Sequence, residues 1–217
     1  SATITAKALT VTGLTGTSRT FDGTTTASAT GSASLVGIVS PDVVTLTGTP
    51  AYAFDTRDIG TGKTITTTGY TLGGTGAGNY TLTQPTLSAN ITAKALTVSG
   101  LTGTSRTYDG STTASATGSA SLVGIVSPDV VTLTGTPAYA FDTRDIGTAK
   151  TITTTGYTLG GTGAGNYTLT QPTLSADVTA KALTVSGLTG TSRTYDGSTT
   201  ASATGSASLV EIGRAHV

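Results

Sequence analysis

The residues of this chain that could do chemistry are few, and the densest charge falls in two short runs, Asp55-Thr56-Arg57-Asp58 and Asp142-Thr143-Arg144-Asp145. Carboxylates at this spacing raise the question of calcium, which takes about six to eight oxygen ligands. Asp55, Asp58, Asp142 and Asp145 fall short of that number, even with Asp42 and Asp129 added. A solvated turn carrying a weak surface ion pair is the expectation for both runs. Lys150 and Asn166 are of the residue types that an intramolecular isopeptide bond joins, but that reaction wants a buried carboxylic acid beside the pair and only Asp could serve, so no such bond is expected. Ser and Thr nucleophiles need a base within reach. The one His and the one Glu both lie in the last seven residues, and Cys is absent. The missing Cys excludes disulfides, thiolate catalysis and Cys-based metal centres. The run Leu159-Gly160-Gly161-Thr162-Gly163 does not lead from a strand into a helix, so it reads as a β-turn and not as a phosphate cradle. No catalytic residue, cofactor or metal is expected, and the chain reads as a non-enzyme.

Surface chemistry is the alternative to catalysis. Thr supplies 55 of the 217 residues, Gly 30 and Ser 21, about half the chain. The 11 basic residues are balanced by 11 acidic ones, leaving no basic stripe for nucleic acid. No stretch approaches the roughly 20 apolar residues of a membrane helix, so membrane insertion is not expected. Thr132, Thr134 and Thr136 alternate, as do Thr151, Thr153 and Thr155. Such ladders can bind ice or glycans on a flat sheet, with Tyr52 and Tyr139 as candidate glycan contacts. The plainer reading is that Thr fills the outward face of strands.

A repeat organises everything else. Lys7-Ala8-Leu9-Thr10-Val11 returns at Lys94 and again at Lys181, each time after 87 residues. Residues 7–93 and 94–180 differ at six positions: Thr12/Ser99, Phe21/Tyr108, Thr24/Ser111, Gly62/Ala149, Asn90/Asp177 and Ile91/Val178. Residues 1–6 read as the last strand of a preceding repeat, 7–93 as repeat 1, 94–180 as repeat 2 and 181–210 as a truncated repeat 3. The closing Glu211-Ile212-Gly213-Arg214-Ala215-His216-Val217 abandons the pattern and reads as translated sequencing adapter, so it is set aside. With Ser1 as its first residue, the chain reads as a fragment of a longer protein. A period this long fits one small domain per repeat and exceeds the usual solenoid periods of about 20–50 residues.

The elements are strands. Leu96 and Val98 share a face, as do Val131 and Leu133, Tyr157 and Leu159, Tyr167 and Leu169, and Leu174, Ala176 and Val178. Turn residues such as Ser127-Pro128-Asp129 and Gly163-Ala164-Gly165-Asn166 bound many of these runs. Short alternating strands with regular turn signals predict an all-β fold, tandem immunoglobulin-like β-sandwiches arranged end to end. Gly165-Asn166-Tyr167 places a Tyr where a tyrosine corner would stand, with a plain core Tyr as the other reading. The buried parity changes between Ile91 and Leu96, which predicts that the chain passes from one sandwich to the next near Lys94 without a linker. Residues 181–210 cannot complete a sandwich and are expected to be poorly ordered or to pair along an exposed edge.

Three strings carry a family resemblance: Lys94-Ala95-Leu96-Thr97-Val98-Ser99-Gly100-Leu101, Tyr108-Asp109-Gly110-Ser111-Thr112, and Gly165-Asn166-Tyr167-Thr168-Leu169, closed by Ile91-Thr92-Ala93-Lys94. Together they resemble the YDG-type repeat of large bacterial exoproteins similar to filamentous haemagglutinin. The motif stands at Tyr108, Asp109 and Gly110, again at Tyr195, Asp196 and Gly197, and as Phe21, Asp22 and Gly23 in repeat 1, where the hydroxyl is missing. The resemblance implies a stalk module of a secreted or surface-attached bacterial adhesin, exported unfolded, whose partners are neighbouring repeats of the same chain and host or environmental glycans or surfaces. Bottom-up, Asp-Gly is a hairpin turn signal and the aromatic before it a core residue. Tyr80 and Tyr167 are expected to be structural in the same way.

Overall fold

The computed structural model describes residues 1–211, Glu211 by its backbone alone. The remainder of the 211–217 tail, on which the adapter reading falls, lies outside the described residues. Repeat 1 consists of β1 (Lys7–Gly16), β2 (Arg19–Thr20), β3 (Ala29–Val36), β4 (Thr45–Phe54), β5 (Gly60–Gly73), β6 (Tyr80–Thr83) and β7 (Thr86–Thr92). Repeat 2 renews them as β8 (Lys94–Gly103), β9 (Arg106–Thr107), β10 (Ala116–Val123), β11 (Thr132–Phe141), β12 (Gly147–Gly160), β13 (Tyr167–Thr170) and β14 (Thr173–Thr179). The β-branched residues that dominate these segments suit a pleated surface. The only helices among the described residues are single 3-10 turns at Ala77–Asn79 and Ala164–Asn166, just before β6 and β13. None is long and apolar enough to cross a membrane.

Each repeat makes two sheets. In repeat 1 the orders are β3-β1-β6 and β2-β7-β5-β4, and in repeat 2 β10-β8-β13 and β11-β12-β14-β9. Most neighbours run antiparallel, but β1 pairs with β6 in parallel, as does β2 with β7. Both parallel pairs join strands from opposite ends of the repeat, so they close it. Glycines bend the longer strands. The β4–β5 register shifts between Gly48 and Ala51, and Gly48 and Gly69 face each other there with φ of +93° and +88°. A Cβ on Gly69 would overlap the carbonyl oxygen of Thr49, and one on Gly48 that of Gly69. Only glycine fits such a close crossing at positive φ.

Compact packing divides the chain differently from its period. Unit one holds residues 1–100, 120–136 and 156–171, and unit two holds 101–119, 137–155 and the chain from 172 onward. In unit one the largest core joins Phe21, Phe54, Ile65, Ala89 and Ile91 of repeat 1 to Leu96, Val131 and Tyr167 of repeat 2. Ile91 and Leu96 are thus on one core. The parity change between them marks a chain that leaves the four-stranded sheet at Ala93, outside any strand, and enters the facing three-stranded sheet. Two sheets that face each other bury opposite parities of one continuous segment. A smaller cluster of Leu9, Val44 and Tyr80 lies under the three-stranded sheet of repeat 1. Unit two has its own core of Phe141, Ile152, Ala176 and Val178. Residues 181–210 form two isolated ladders, β15 (Leu183–Ser186) with β18 (Ser208–Glu211) and β16 (Thr189–Thr191) with β17 (Ser202–Thr204). Leu183 and Leu188 are each 52% exposed, whereas Leu9 and Leu96, at the repeat position of Leu183, are fully buried.

Candidate functional site

The polar counterpart of the unit-one core is a carboxylate with no solvent exposure. Asp129 sits in the turn after the cis Ser127–Pro128 bond, its amide donating to the Val126 carbonyl at 2.9 Å. One carboxylate oxygen accepts a hydrogen bond from the Tyr167 hydroxyl at 3.0 Å, and the other accepts from the Arg57 guanidinium at 2.5 Å. The side chain of Asp129 is 0% exposed and that of Arg57 35%. A buried charge is tolerable when it is both paired and hydrogen-bonded, and here both conditions hold. Beside this pair the Asn166 amide donates to Asp58 at 3.0 Å and accepts from the Ile59 backbone amide at 3.1 Å. The Phe21 ring meets Tyr167 edge-on, with centroids 5.4 Å apart. Arg57, Asp58, Ile59 and Phe21 belong to repeat 1, while Asp129, Asn166 and Tyr167 belong to repeat 2. The site is therefore where one repeat recognises the next.

Tyr167 also accepts a hydrogen bond from the Val126 amide at 3.0 Å, and Tyr80 does the same with Val39. In each case the amide lies 41 residues upstream. These bonds tie β13 and β6 to distant loops, unlike the local bond of a tyrosine corner. Burial raises the Tyr167 pKa; the Val126 amide works against this, and the Asp129 carboxylate adds to it.

The Tyr-Asp-Gly triplets build bends, not hairpins. Asp22 accepts from the Thr24 amide at 2.9 Å, Asp109 from that of Ser111 at 2.8 Å and Asp196 from that of Ser198 at 2.9 Å, each an Asx turn. Gly23, Gly110 and Gly197 follow with φ of +80°, +82° and +76°. No hairpin forms because the chain beyond the turn crosses to another strand, bridging Thr26 to Ala53 and Thr113 to Ala140. Arg19 and Arg106 clamp the turns, pairing with Asp22 and Asp109 while lying over the Phe54 and Phe141 rings. Burial pulls the Asp22 pKa up, but Arg19 and Thr24 outweigh it and hold the carboxyl below its ordinary value. Phe21 is fully buried, Tyr108 is half-buried and Tyr195 is 93% exposed.

The charged runs do not converge on a cation. Asp55 pairs with Lys63 at 2.9 Å and Asp142 with Lys150 at 3.0 Å, and these ammonium groups hold both carboxyls below their ordinary pKa. Among the described residues no three metal-ligating side chains come together. The proposed isopeptide partners are engaged elsewhere, Lys150 with Asp142 and Thr143, and Asn166 with Asp58 and Ile59. Thr hydroxyls pair across strands, Thr47 with Thr71 and Thr134 with Thr158, both at 2.8 Å.

Tyr52 and Tyr139 are half-buried, each packed on the core of its unit. The Tyr52 hydroxyl meets that of Tyr70 at 3.0 Å, and burial together with this neighbour pushes its pKa from 10.0 to about 12. A value raised on folding stabilises the fold below pH 10 and is lost as the pH climbs toward 12. Tyrosinate absorbance, read in a chain without Trp, should therefore show a late-titrating component that Tyr52→Phe diminishes, the remainder belonging to Tyr80 and Tyr167, whose pKa values are also raised. A titration of all tyrosines together near pH 10 in the folded chain would contradict the burial of this hydroxyl.

Sequence reasoning did not find the Arg57–Asp129 pair, whose members lie 72 residues apart. The available signal was scarcity: with only 10% charged residues, each charge in a loop is worth tracing. A family model described as the YDG domain matches residues 5–87 and again residues 92–174. No curated protein and no solved structure matches the chain.

Proposed function

Since the chain belongs to the YDG domain family, with two matched repeats in succession, we propose that its repeats are a non-catalytic structural spacer in a secreted or surface-attached bacterial adhesin, projecting a distal adhesive domain. The observation that carries this reading is the shared core of unit one. Ile91 and Leu96 pack in one cluster across the repeat boundary, and Arg57 closes on Asp129 beside it. A repeat that lends part of its core to the next makes a continuous, semi-rigid array; a flexible linker would leave the repeats independent. The near-identity of repeats 1 and 2 fits the same role, because every junction must accept the same partner. The absence of Cys suits export as an unfolded chain.

Weak multivalent glycan or ice binding is the competing reading. The half-buried Tyr52, whose hydroxyl is taken up by Tyr70, offers little aromatic platform, and the paired Thr hydroxyls already satisfy one another. Inserting further copies of residues 94–180 after position 180 should lengthen the particle in small-angle scattering by a constant increment per copy, with no saturable binding on a glycan array. Compact growth, or glycan binding that rises with copy number, would overturn the spacer reading.

A further inference from the structure

We propose that each repeat is a shear clamp: tension along the chain falls on its first and last strands, and the strands between them bear none until that pair gives way. In repeat 1, β1 and β2 make the first segment, and β6 and β7 make the last, joined only by Gln84 and Pro85. Both ladders between the segments run parallel, residues 7–10 against 80–83 and residues 19–20 against 91–92. One residue of slip separates the two ladders, where each segment crosses from the three-stranded to the four-stranded sheet. The crossing is bridged as well. A Cβ on Gly16 would lie 2.6 Å from the Ser88 carbonyl oxygen, so the backbones touch there. The Asn90 amide donates to the Ser18 hydroxyl at 2.9 Å, and the Phe21 amide donates to the Thr92 carbonyl at 2.8 Å. The two segments thus stay together from Lys7 beside Tyr80 to Phe21 beside Thr92.

Strand direction decides what this contact does under load. The chain enters the repeat at Lys7 and leaves it at Thr92, and in a parallel pair those two points lie at opposite ends. Tension between them drives the segments along their own axes in opposite senses. The bonds of a parallel ladder are evenly spaced along the strand, so they are strained together and fail together. Pulled from one end, the same bonds would open singly, each step costing only one of them. Resistance to force is a rate of unfolding and not an equilibrium stability, so parallel pairing can be strong in this sense while being the weaker kind per residue.

The stretch behind the clamp needs the protection. Residues 22–79 carry β3, β4 and β5, and β3 and β4 are both edge strands. β3 reads Ala-Thr-Gly-Ser-Ala-Ser-Leu-Val and has no buried residue, so it would peel early if it were loaded. Repeat 2 has both ladders in the same register, 94–97 against 167–170 and 106–107 against 178–179. Its cross-bonds return too, from the Asp177 amide to the Ser105 hydroxyl at 3.0 Å and from the Tyr108 amide to the Thr179 carbonyl at 2.8 Å. Use of the clamp in a stalk under tension rests on the spacer reading; the clamp itself rests on strand direction alone.

The test is force spectroscopy on the full chain, whose lack of Cys lets introduced thiols define the points of load. Ala6→Cys with Ala93→Cys loads the clamp in shear, and both positions lie outside the strands. Thr20→Cys with Ala93→Cys loads the same two segments from one end, since Thr20 stands opposite Thr92. At equal constant load the second variant should unfold at least about tenfold faster. The first should lengthen in a single step of about 250 Å, the extended length of the residues between its thiols less their folded separation. Equal rates in the two geometries would overturn the proposal. Shorter steps before the main one in the first variant would overturn it too, because they would show load reaching β3 or β4 ahead of the clamp. The spacer reading would survive either result, because it rests on the junction between repeats. A particle that failed to lengthen with added copies would overturn that reading and leave the clamp standing.

Discussion

Gly69→Ala should destabilise the chain by roughly 2–4 kcal/mol, combining the penalty of a positive φ with an overpacked crossing. The added Cβ has nowhere to go, because the Thr49 carbonyl oxygen occupies its place and belongs to the backbone of the paired strand. Relief would require β4 and β5 to part at their register shift, which the hydrogen-bonded pairs on either side oppose. Gly62→Ala is the matched control. Gly62 also has a positive φ, +59°, but nothing lies within 4 Å of its added Cβ. The repeat already performs this substitution: its counterpart is Ala149, held at φ +48°. The Ala149 amide donates at 2.7 Å to Asp177, where the Gly62 amide donates at 2.7 Å to Asn90. An ionised acceptor makes the stronger hydrogen bond and offsets part of the backbone strain, and two of the six differences between repeats thus fall on the two ends of one hydrogen bond. Urea denaturation of the two variants should therefore separate them by at least about 1 kcal/mol. Equal midpoints would show that the close crossing at Gly69 yields more readily than its geometry implies.

Asp129→Ala should cost roughly 2–4 kcal/mol, and Asp42→Ala only about 1 kcal/mol, although the two residues occupy the same position in the repeat. Removing Asp129 leaves the Arg57 guanidinium without its partner and the Tyr167 hydroxyl without an acceptor. Because Arg57 keeps a third of its side chain in water, the loss falls below that of a fully buried pair. Removing Asp42 strands only the Tyr80 hydroxyl. Hydrogen exchange on the Ile59 amide, which is closed by Asn166, gives a local readout of the same contact. It should accelerate in Asp129→Ala and stay unchanged in Asp42→Ala. Equal effects of the two substitutions would mean that the Arg57 pair adds nothing to the junction.

Much of this fold is legible in the residues. Leu96, Ala176 and Val178 fall on the buried faces that alternation assigns them, and the 87-residue period reappears in the spacing of the two family matches. Other parts are not, for physical reasons. β10 reads Ala-Thr-Gly-Ser-Ala-Ser-Leu-Val, too small and polar to announce a strand, and owes its pairing to β8. Asp109-Gly110 carries a hairpin signal, yet a turn motif specifies local geometry and not the strand the chain meets afterwards. The recognition site is harder still. Arg57 looks like a member of an acidic run until the fold brings Asp129 to it from the next repeat, and no local pattern encodes that meeting. The parity change at Ala93 was visible, but whether it joins two cores or crosses one depends on which sheet faces which.

The parallel pairing that closes each repeat has a consequence for how the chain reaches its fold. β6 and β13 share the sequence Tyr-Thr-Leu-Thr, and the segments they pair with share Lys-Ala-Leu-Thr. Side chains cannot tell β6 from β13, so β1 closing on β13 would form the same ladder as the native pair while trapping a whole repeat in the loop. Only loop-closure entropy discriminates, and it does so by about 0.6 kcal/mol for each doubling of the loop. Refolding all at once from denaturant therefore exposes the chain to mispaired states of nearly native energy. A chain delivered from one end meets its correct partner before the wrong one exists. For an array of near-identical repeats, the order of emergence supplies the distinction that composition withholds.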